Sequence, residues 1–162
     1  MFNRGFAYDK IGRYDDAIAD YTKALTIEPK NAFAYYNRGI SYDRKNYLDE
    51  AVYNFTKAIE FDEKKADFYH NRGFTYRKKE QYKKALEDYT SALKIDPNHF
   101  KAYYNRAFCF EKIVDLAKAE RDYKKALVLR PDNVNVIHHL GSVYEKKGGS
   151  KNLKVSLKYF QK

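Results

Sequence analysis

The chain has 162 residues, of which 44% are hydrophobic, and a net charge of +10. This composition supports one ordinary domain with a core, and no apolar run approaches the roughly 18 residues of a membrane span. The single cysteine, Cys109, excludes an internal disulfide or a multi-cysteine metal site and suits an intracellular, cytoplasmic location. The positive charge favours acidic partners.

The sequence repeats itself with a period of 34 residues. A small residue follows this step through five copies, as Gly5, Gly39, Gly73, Ala107 and Gly141. Two alanine series keep the same step: Ala17, Ala51, Ala85 and Ala119, and Ala24, Ala58, Ala92 and Ala126. A fixed period of this length is typical of stacked supersecondary units, whose long surfaces usually bind partners.

Within each copy, apolar residues recur at helical spacing along two segments. In the second copy Tyr35, Gly39 and Tyr42 share one helix face, and Ala51 and Phe55 share another. The pattern therefore predicts an all-α fold with two helices per copy. In chain order, the predicted helices are residues 1–11, 15–28, 32–45, 49–61, 66–79, 83–95, 100–113, 117–129, 134–146 and 152–161.

Turn residues agree with this division into helices. Pro29, Pro97 and Pro131 stand where the second helix of a copy must end. The second copy has Glu63 in the same slot, and we therefore expect a longer or looser helix end there.

The last copy differs most from the others. Its turn, residues 147–151, holds two extra residues, and the pattern resumes at Val155 and Tyr159. Three apolar residues lack a following copy that would cover them: Leu153, Leu157 and Phe160. We therefore expect a piece of a longer array, or ends that stack on another molecule.

A signature at set offsets is complete in the third copy, as Tyr69, Gly73, Tyr76, Ala85, Tyr89, Ala92 and Pro97. On these residues the chain resembles the tetratricopeptide repeat (TPR) family over essentially its whole length. The resemblance implies a right-handed α-solenoid whose first helices line a concave groove, and a non-catalytic module or scaffold that binds a partner peptide. It also implies a single array of about five units: residues 1–31 (partial), 32–65, 66–99, 100–133 and 134–162 (partial).

One asparagine stands in the middle of the first helix in four copies, as Asn3, Asn37, Asn71 and Asn105. Asparagine is a poor helix former, so its recurrence there needs a reason. In the family this slot faces the groove, where an amide can donate to and accept from a peptide backbone, similar to the asparagine ladder of the O-GlcNAc transferase superhelix. Descent by duplication, or a hydrogen bond within the unit, would explain the same series without a ligand.

A cation stands near the end of each first helix, as Lys10, Arg44, Lys78, Lys112 and Lys146. At the edge of a groove these residues would form a positive stripe suited to acidic peptides. At a helix C-terminus they would instead stabilise the helix by roughly 0.3–1 kcal/mol each. Both interpretations stay open, because acids just before most of these cations would weaken the stripe.

Two further series line up with the copies. The aromatic slot of Tyr36, His70, Tyr104 and His138 could stack on partner side chains or pack against the next copy. The arginines Arg4, Arg38, Arg72 and Arg106 could form a phosphate-binding ladder. We expect instead pairs with Asp20, Asn54, Asp88 and Asp122, which would bridge the two helices of a copy.

Several other functions are not expected from the sequence. The clamp with which TPR proteins hold chaperone tails is unlike this chain, since Lys101 alone matches its slots. The four histidines match no metal spacing, and residues 148–151 lack the order of a phosphate loop, so no metal, cofactor or catalysis is predicted. The predicted partner is a protein or peptide. The alternatives are a structural segment that contacts neighbours through its ends or convex face, with end-to-end self-association, and, less expected, RNA binding.

Overall fold

A computed structural model describes residues 1–160, with the backbone alone for Phe160. Over this range the chain is helical and contains no strand. The helices are α1 (Phe2–Lys10), α2 (Tyr14–Ile27), α3 (Ala32–Arg44), α4 (Leu48–Phe61), α5 (Ala66–Lys78), α6 (Tyr82–Ile95), α7 (Phe100–Lys112), α8 (Leu116–Leu129), α9 (Val134–Lys147) and α10 (Ser150–Phe160). None of the helices found in residues 1–160 is both long and apolar enough to cross a bilayer.

The predicted helices are confirmed, because each begins and ends within about two residues of its expected position. The last residue of the final predicted helix, residue 161, lies outside the described residues. The all-α helical-repeat class is confirmed as well, with two helices in each period of the sequence.

The chain divides into two compact units, Met1–Gln81 (unit 1) and Tyr82–Lys162 (unit 2). In unit 1, which holds α1 to α5, consecutive helices pack together, and α3 also touches both α1 and α5. The first helices of its copies therefore lie side by side in one layer. In unit 2, which holds α6 to α10, consecutive helices pack together and α7 touches α9.

Small and aromatic residues of the repeat pattern form the core. In unit 1 the side chains of Ala51 and Phe55 are buried, and Gly39 lies directly against the Phe55 ring. A Cβ atom added to Gly39 would stand 2.9 Å from Cε1 of Phe55, so this close approach requires the missing side chain. In unit 2, Tyr123 and Leu140 are buried in one cluster formed by α7, α8 and α9.

A residue in the left-handed backbone region follows the first helix in every copy. The five positions keep the period of the sequence: Gly12, Asn46, Glu80, Val114 and Gly148, with φ between 57° and 80°. Glycine and asparagine adopt this conformation readily, whereas a β-branched residue is strained in it. The backbone of Val114 is therefore strained, with its side chain 74% exposed.

The expectation of a longer or looser helix end beside Glu63 is wrong. Helix α4 ends at Phe61, the same slot at which α2 ends with Ile27. Oδ1 of Asp62 accepts a hydrogen bond from the backbone N of Lys64 at 3.0 Å. The same turn forms in the third copy, which contains Pro97, where Oδ1 of Asp96 accepts from the backbone N of Asn98 at 2.9 Å. A side-chain hydrogen bond therefore ends the helix with or without the proline.

The pattern resumes in the last copy at the predicted residues, since Val155 and Tyr159 both pack against the core of unit 2 and Tyr159 stacks on Tyr144 at 5.8 Å. Between them in the chain, Ser156 is 3% exposed and donates to the backbone O of Gly141 at 2.9 Å. Ser156 therefore contacts the small residue of α9 directly. The turn takes up the two extra residues through Gly148 and Gly149, which both have positive φ.

Candidate functional site

The asparagine of α5 is hydrogen-bonded to the tyrosine of α3. Nδ2 of Asn71 donates to the hydroxyl of Tyr36 at 2.9 Å and to the backbone O of Asp67 at 2.8 Å. These two bonds use both hydrogens of the amide nitrogen. Within residues 1–160 the bonds of Asn71 leave its Oδ1 as the atom able to accept from a ligand.

The hydroxyl of Tyr36 keeps its proton. Burial, and then the charge of Asp67, raise the pKa of Tyr36 to about 12. The hydroxyl accepts from Asn71, so its own proton is directed elsewhere and can be donated. The pair therefore presents one acceptor and one donor on neighbouring first helices.

The other asparagines of the series lie in different surroundings. Nδ2 of Asn37 donates to the backbone O of Phe33, four residues earlier, at 2.8 Å. Asn3 is exposed on α1, whereas Asn105 is only 6% exposed on α7. The local hydrogen bond that was one explanation of the series is thus present for Asn37 and Asn71, and it fixes the direction of each amide.

Aromatic rings flank the Tyr36–Asn71 pair. The ring of Tyr36 lies 4.6 Å from that of Phe68, centroid to centroid, and Phe33 meets Phe68 edge-on at 5.6 Å. Phe33 itself is 48% exposed, and the ammonium group of Lys65 lies 5.6 Å from the centroid of its ring. Unit 1 therefore has an accessible apolar surface next to the polar pair.

Three residues of the cationic series are held in ion pairs. In unit 1, Nη1 of Arg44 donates to Asp9 at 2.6 Å and Nζ of Lys78 donates to Asp43 at 2.9 Å. In unit 2, Lys146 pairs with a carboxylate on the preceding first helix, that of Glu111. These cations link neighbouring first helices, which reduces the charge that they offer to a ligand.

Lys10, Lys101 and Lys112 differ from those three cations. Each is exposed, and within the described residues none of them forms an ion pair. Lys10 lies over the ring of Phe6 at 5.0 Å, and Lys112 lies over Phe108 at 5.3 Å. Arg44, Lys78 and Lys146 each pair with an acid 35 residues earlier in the chain. The residue 35 positions before Lys112 is an arginine, Arg77, so this lysine has no acid in the equivalent slot.

The expected arginine pairs are confirmed in three copies. Arg4 binds both carboxylate oxygens of Asp20, at 2.6 and 2.8 Å. Arg106 does the same with Asp122, at 2.6 and 3.1 Å. In the second copy Arg38 donates to Oδ1 of Asn54 at 2.8 Å. Three of these arginines also donate to a threonine on the preceding helix, Thr22, Thr56 or Thr90, a contact that the sequence analysis missed.

In the last copy a histidine takes the place of the asparagine. His139 stacks on Tyr123 at 5.5 Å, meets Tyr104 edge-on at 5.7 Å, and has Nδ1 3.3 Å from Oε2 of Glu111. Burial opposes ionisation of Glu111, but hydrogen bonds from His139, Lys146 and Tyr123 lower its pKa to about 2. This network is structural, since it fills the core between α7, α8 and α9.

The remaining predicted residues add little to an open surface. His70 is 7% exposed, and its ring lies 6.5 Å from that of Phe74. The ring of His138, which is exposed, lies 5.9 Å from His139. Across residues 1–160, no three histidine, cysteine, aspartate or glutamate side chains come together as metal ligands would.

Comparison with solved structures shows the fold. YrrB, described as a TPR protein with an unusual peptide-binding site, is 24% identical, with a TM-score of 0.84 over 99% of this chain and 81% of that one. MamA from Desulfovibrio magneticus RS-1 is 21% identical, with a TM-score of 0.90 over 98% and 88%. PilF of Pseudomonas aeruginosa is 19% identical, with a TM-score of 0.87 over 99% and 72%. No curated protein matches the sequence significantly.

Sequence profiles identify the repeats directly. A tetratricopeptide repeat profile matches residues 1–31, 66–99 and 100–133. A second one matches residues 20–53, and a TPR repeat profile matches residues 42–79. The first profile alone covers more than half of the chain, and its matches coincide with the helix pairs of the structure. The chain therefore belongs to the tetratricopeptide repeat family.

Proposed function

We propose that this protein is a non-catalytic interaction module that binds an extended peptide segment of a partner protein. The proposed surface is the first-helix face of unit 1, formed by α1, α3 and α5. The observation that carries the proposal is the 2.9 Å hydrogen bond from Asn71 to Tyr36, which orients an acceptor and a donor beside each other.

A peptide backbone offers the groups that this pair lacks. Oδ1 of Asn71 would accept from a peptide N–H, and the hydroxyl of Tyr36 would donate to a peptide C=O. Both groups are held before the ligand arrives, so little side-chain freedom is lost on binding. Contacts of this kind recognise any extended segment, and Phe33, which is 48% exposed, would favour an apolar side chain next to it.

The solved relatives agree with this role without defining the site. YrrB is described as a peptide-binding TPR protein, and its fold covers nearly the whole of this chain. TPR repeats occur in many proteins that bind different partners, so the residues of unit 1 determine the partner class.

The experiment begins with peptides selected from a random library on the wild-type protein and counter-selected on the double variant Asn71→Ala/Tyr36→Phe. Dissociation constants are then measured for each single variant. A lost hydrogen bond of about 1 kcal/mol predicts about 5-fold weaker binding for either change. The control is Tyr53→Phe, which alters a tyrosine on α4 that is 55% exposed. Unchanged binding by folded Asn71 and Tyr36 variants would contradict the proposal.

A second candidate function is a structural segment that contacts neighbouring molecules. It is favoured by two leucines on α10, Leu153 and Leu157, which are 50% and 56% exposed. Leucines four residues apart lie on one helix face, where they would pack against an apolar partner surface. Concentration-dependent association that Leu153→Ser/Leu157→Ser abolishes would support this role, and a monomer at all concentrations would oppose it.

A further inference from the structure

The charge of the chain is concentrated in unit 2. Residues 82–162 have 17 lysines and arginines against 9 aspartates and glutamates, while residues 1–81 have 15 against 13. Unit 2 therefore carries +8 of the net charge of +10. A positive field of this kind attracts acidic segments and raises their local concentration.

Two lysines of α7 lie on the same side of that helix. Lys101 and Lys112 are 11 residues apart, and 11 residues complete three turns, so the two Cα–Cβ directions differ by only about 20°. Phe108 lies between them on the same stripe. Along the helix axis the two lysines are about 16 Å apart, at 1.5 Å per residue.

The charges of Lys101 and Lys112 are available to a ligand. Both side chains are exposed, and no ion pair holds either of them within the described residues. Arg44 and Lys78, by contrast, are bound to Asp9 and Asp43 on the preceding first helices. Lys101 and Lys112 thus differ from the ion-paired cations, although Lys112 lies over the ring of Phe108 at 5.3 Å.

We propose that the α7 stripe of Lys101, Phe108 and Lys112 binds an acidic peptide segment with two carboxylates four residues apart. Residues an even number apart point to the same face of an extended chain, and four residues advance it by about 13 Å, within reach of the two flexible lysine side chains. An apolar residue between the two acids would lie on Phe108. This inference rests on the proposed function, since it takes the ligand to be a peptide, but it uses a different surface.

The probe is a labelled peptide, Glu-Ser-Leu-Ser-Glu, blocked at both ends, whose binding is measured by fluorescence anisotropy. A peptide of the same composition with adjacent acids, Ser-Glu-Glu-Leu-Ser, tests the spacing. The variant is Lys101→Gln/Lys112→Gln. The control, Lys125→Gln/Lys151→Gln, removes the same charge from exposed lysines on α8 and α10.

The expected result is binding by wild type and control, about 10-fold weaker binding by the Lys101/Lys112 variant, and a similar loss for the second peptide. Raising the salt from about 0.05 to 0.3 M should weaken the specific binding, because exposed charge pairs are screened. Equal loss in variant and control would overturn the proposal, since net charge alone would then explain binding. Tighter binding of a single-stranded RNA, weakened by the same variant, would overturn it in favour of nucleic acid.

The Asn71→Ala/Tyr36→Phe variant separates this inference from the proposed function. If that variant still binds the acidic peptide and the Lys101/Lys112 variant does not, the α7 site is supported. This holds whether or not the unit 1 variants lose binding of the library peptides. Loss in the Asn71/Tyr36 variant alone would overturn the α7 site and leave the proposed function standing.

Discussion

Asp9 and Arg44 join two neighbouring first helices: Nη1 of Arg44 donates to Oδ2 of Asp9 at 2.6 Å and to its backbone O at 3.2 Å. Oγ of Ser41 donates to the other carboxylate oxygen at 2.9 Å. In the second copy, Asp43 accepts the equivalent hydrogen bonds from the hydroxyl of Thr75 and the ammonium group of Lys78. An acid near the end of one first helix thus fixes the position of the next.

Removing the charge of Asp43 should destabilise unit 1. Asp43→Asn weakens the bond to Lys78 and one to Thr75, and the carboxylate is only 16% exposed. We expect a loss of about 1–2 kcal/mol in the free energy of unfolding, measured by urea titration. Asp15→Asn is the control, because its side chain is 82% exposed and should cost about 0.5 kcal/mol or less.

The Arg106–Asp122 pair should contribute more than the Arg4–Asp20 pair. The side chains of Arg106 and Asp122 are 13% and 1% exposed, whereas Arg4 is 60% exposed. Asp122→Ala leaves a nearly buried guanidinium group unpaired, and we expect a loss of about 3–5 kcal/mol. Asp20→Ala should cost clearly less, because water can reach Arg4. Equal losses in thermal unfolding would show that burial of the arginine does not set the effect.

Relief of backbone strain should make Val114→Asn more stable than the wild type. Val114 has φ of 64°, and the second copy already places Asn46 in this slot with φ of 63°. The valine side chain is 74% exposed, so little packing is lost. We expect a gain of about 1 kcal/mol, visible as a higher midpoint of thermal unfolding. Val128→Asn on α8, with a side chain 77% exposed, should give no such gain.

Acid should weaken unit 2 through Glu111. Its pKa is lowered from 4.5 to about 2 in the folded protein, so its stabilisation is complete above about pH 5 and is lost as the pH falls towards 2. Glu111→Gln should therefore flatten the dependence of stability on pH between 5 and 2. The exposed Glu145→Gln is the control. A pH profile of the Glu111 variant parallel to that of wild type would exclude this residue as the cause.

Because Gly39 lies against the Phe55 ring, even a methyl side chain at position 39 should lower the stability of the protein. Gly39→Ala should destabilise the protein by about 1–3 kcal/mol, because the buried Phe55 ring must move. Gly12→Ala tests whether a positive φ, and not a lack of space, requires glycine. Its added Cβ meets no atom within 4 Å, but its φ is 80°. A more stable Gly39→Ala protein would show that the gain in helix propensity outweighs the contact.

The period of the sequence was sufficient to predict the helices and the slots of the core, since each copy repeats the same spacing of small and aromatic residues. The pairing of Arg4 with Asp20 could be predicted because both residue types disappear together in the last copy. The bond between Asn71 and Tyr36 could not, because it joins residues 35 positions apart whose distance depends on how two copies pack. The bond from Ser156 to Gly141 was equally hidden, since it depends on the backbone of two consecutive glycines.

The bond between Asp9 and Ser41 also bears on how such a chain can grow. Asp43 makes the same contact to Thr75 that Asp9 makes to Ser41, so the first helices of the first two copies present the same acceptor to the helix that follows. A gene that duplicates residues 32–65 in tandem would place the new Ser41 and Arg44 opposite Asp43 without any further change. The array can thus be lengthened at this junction by whole copies of residues 32–65, whereas a duplicate of the third copy would place Arg77 where the carboxylate is required.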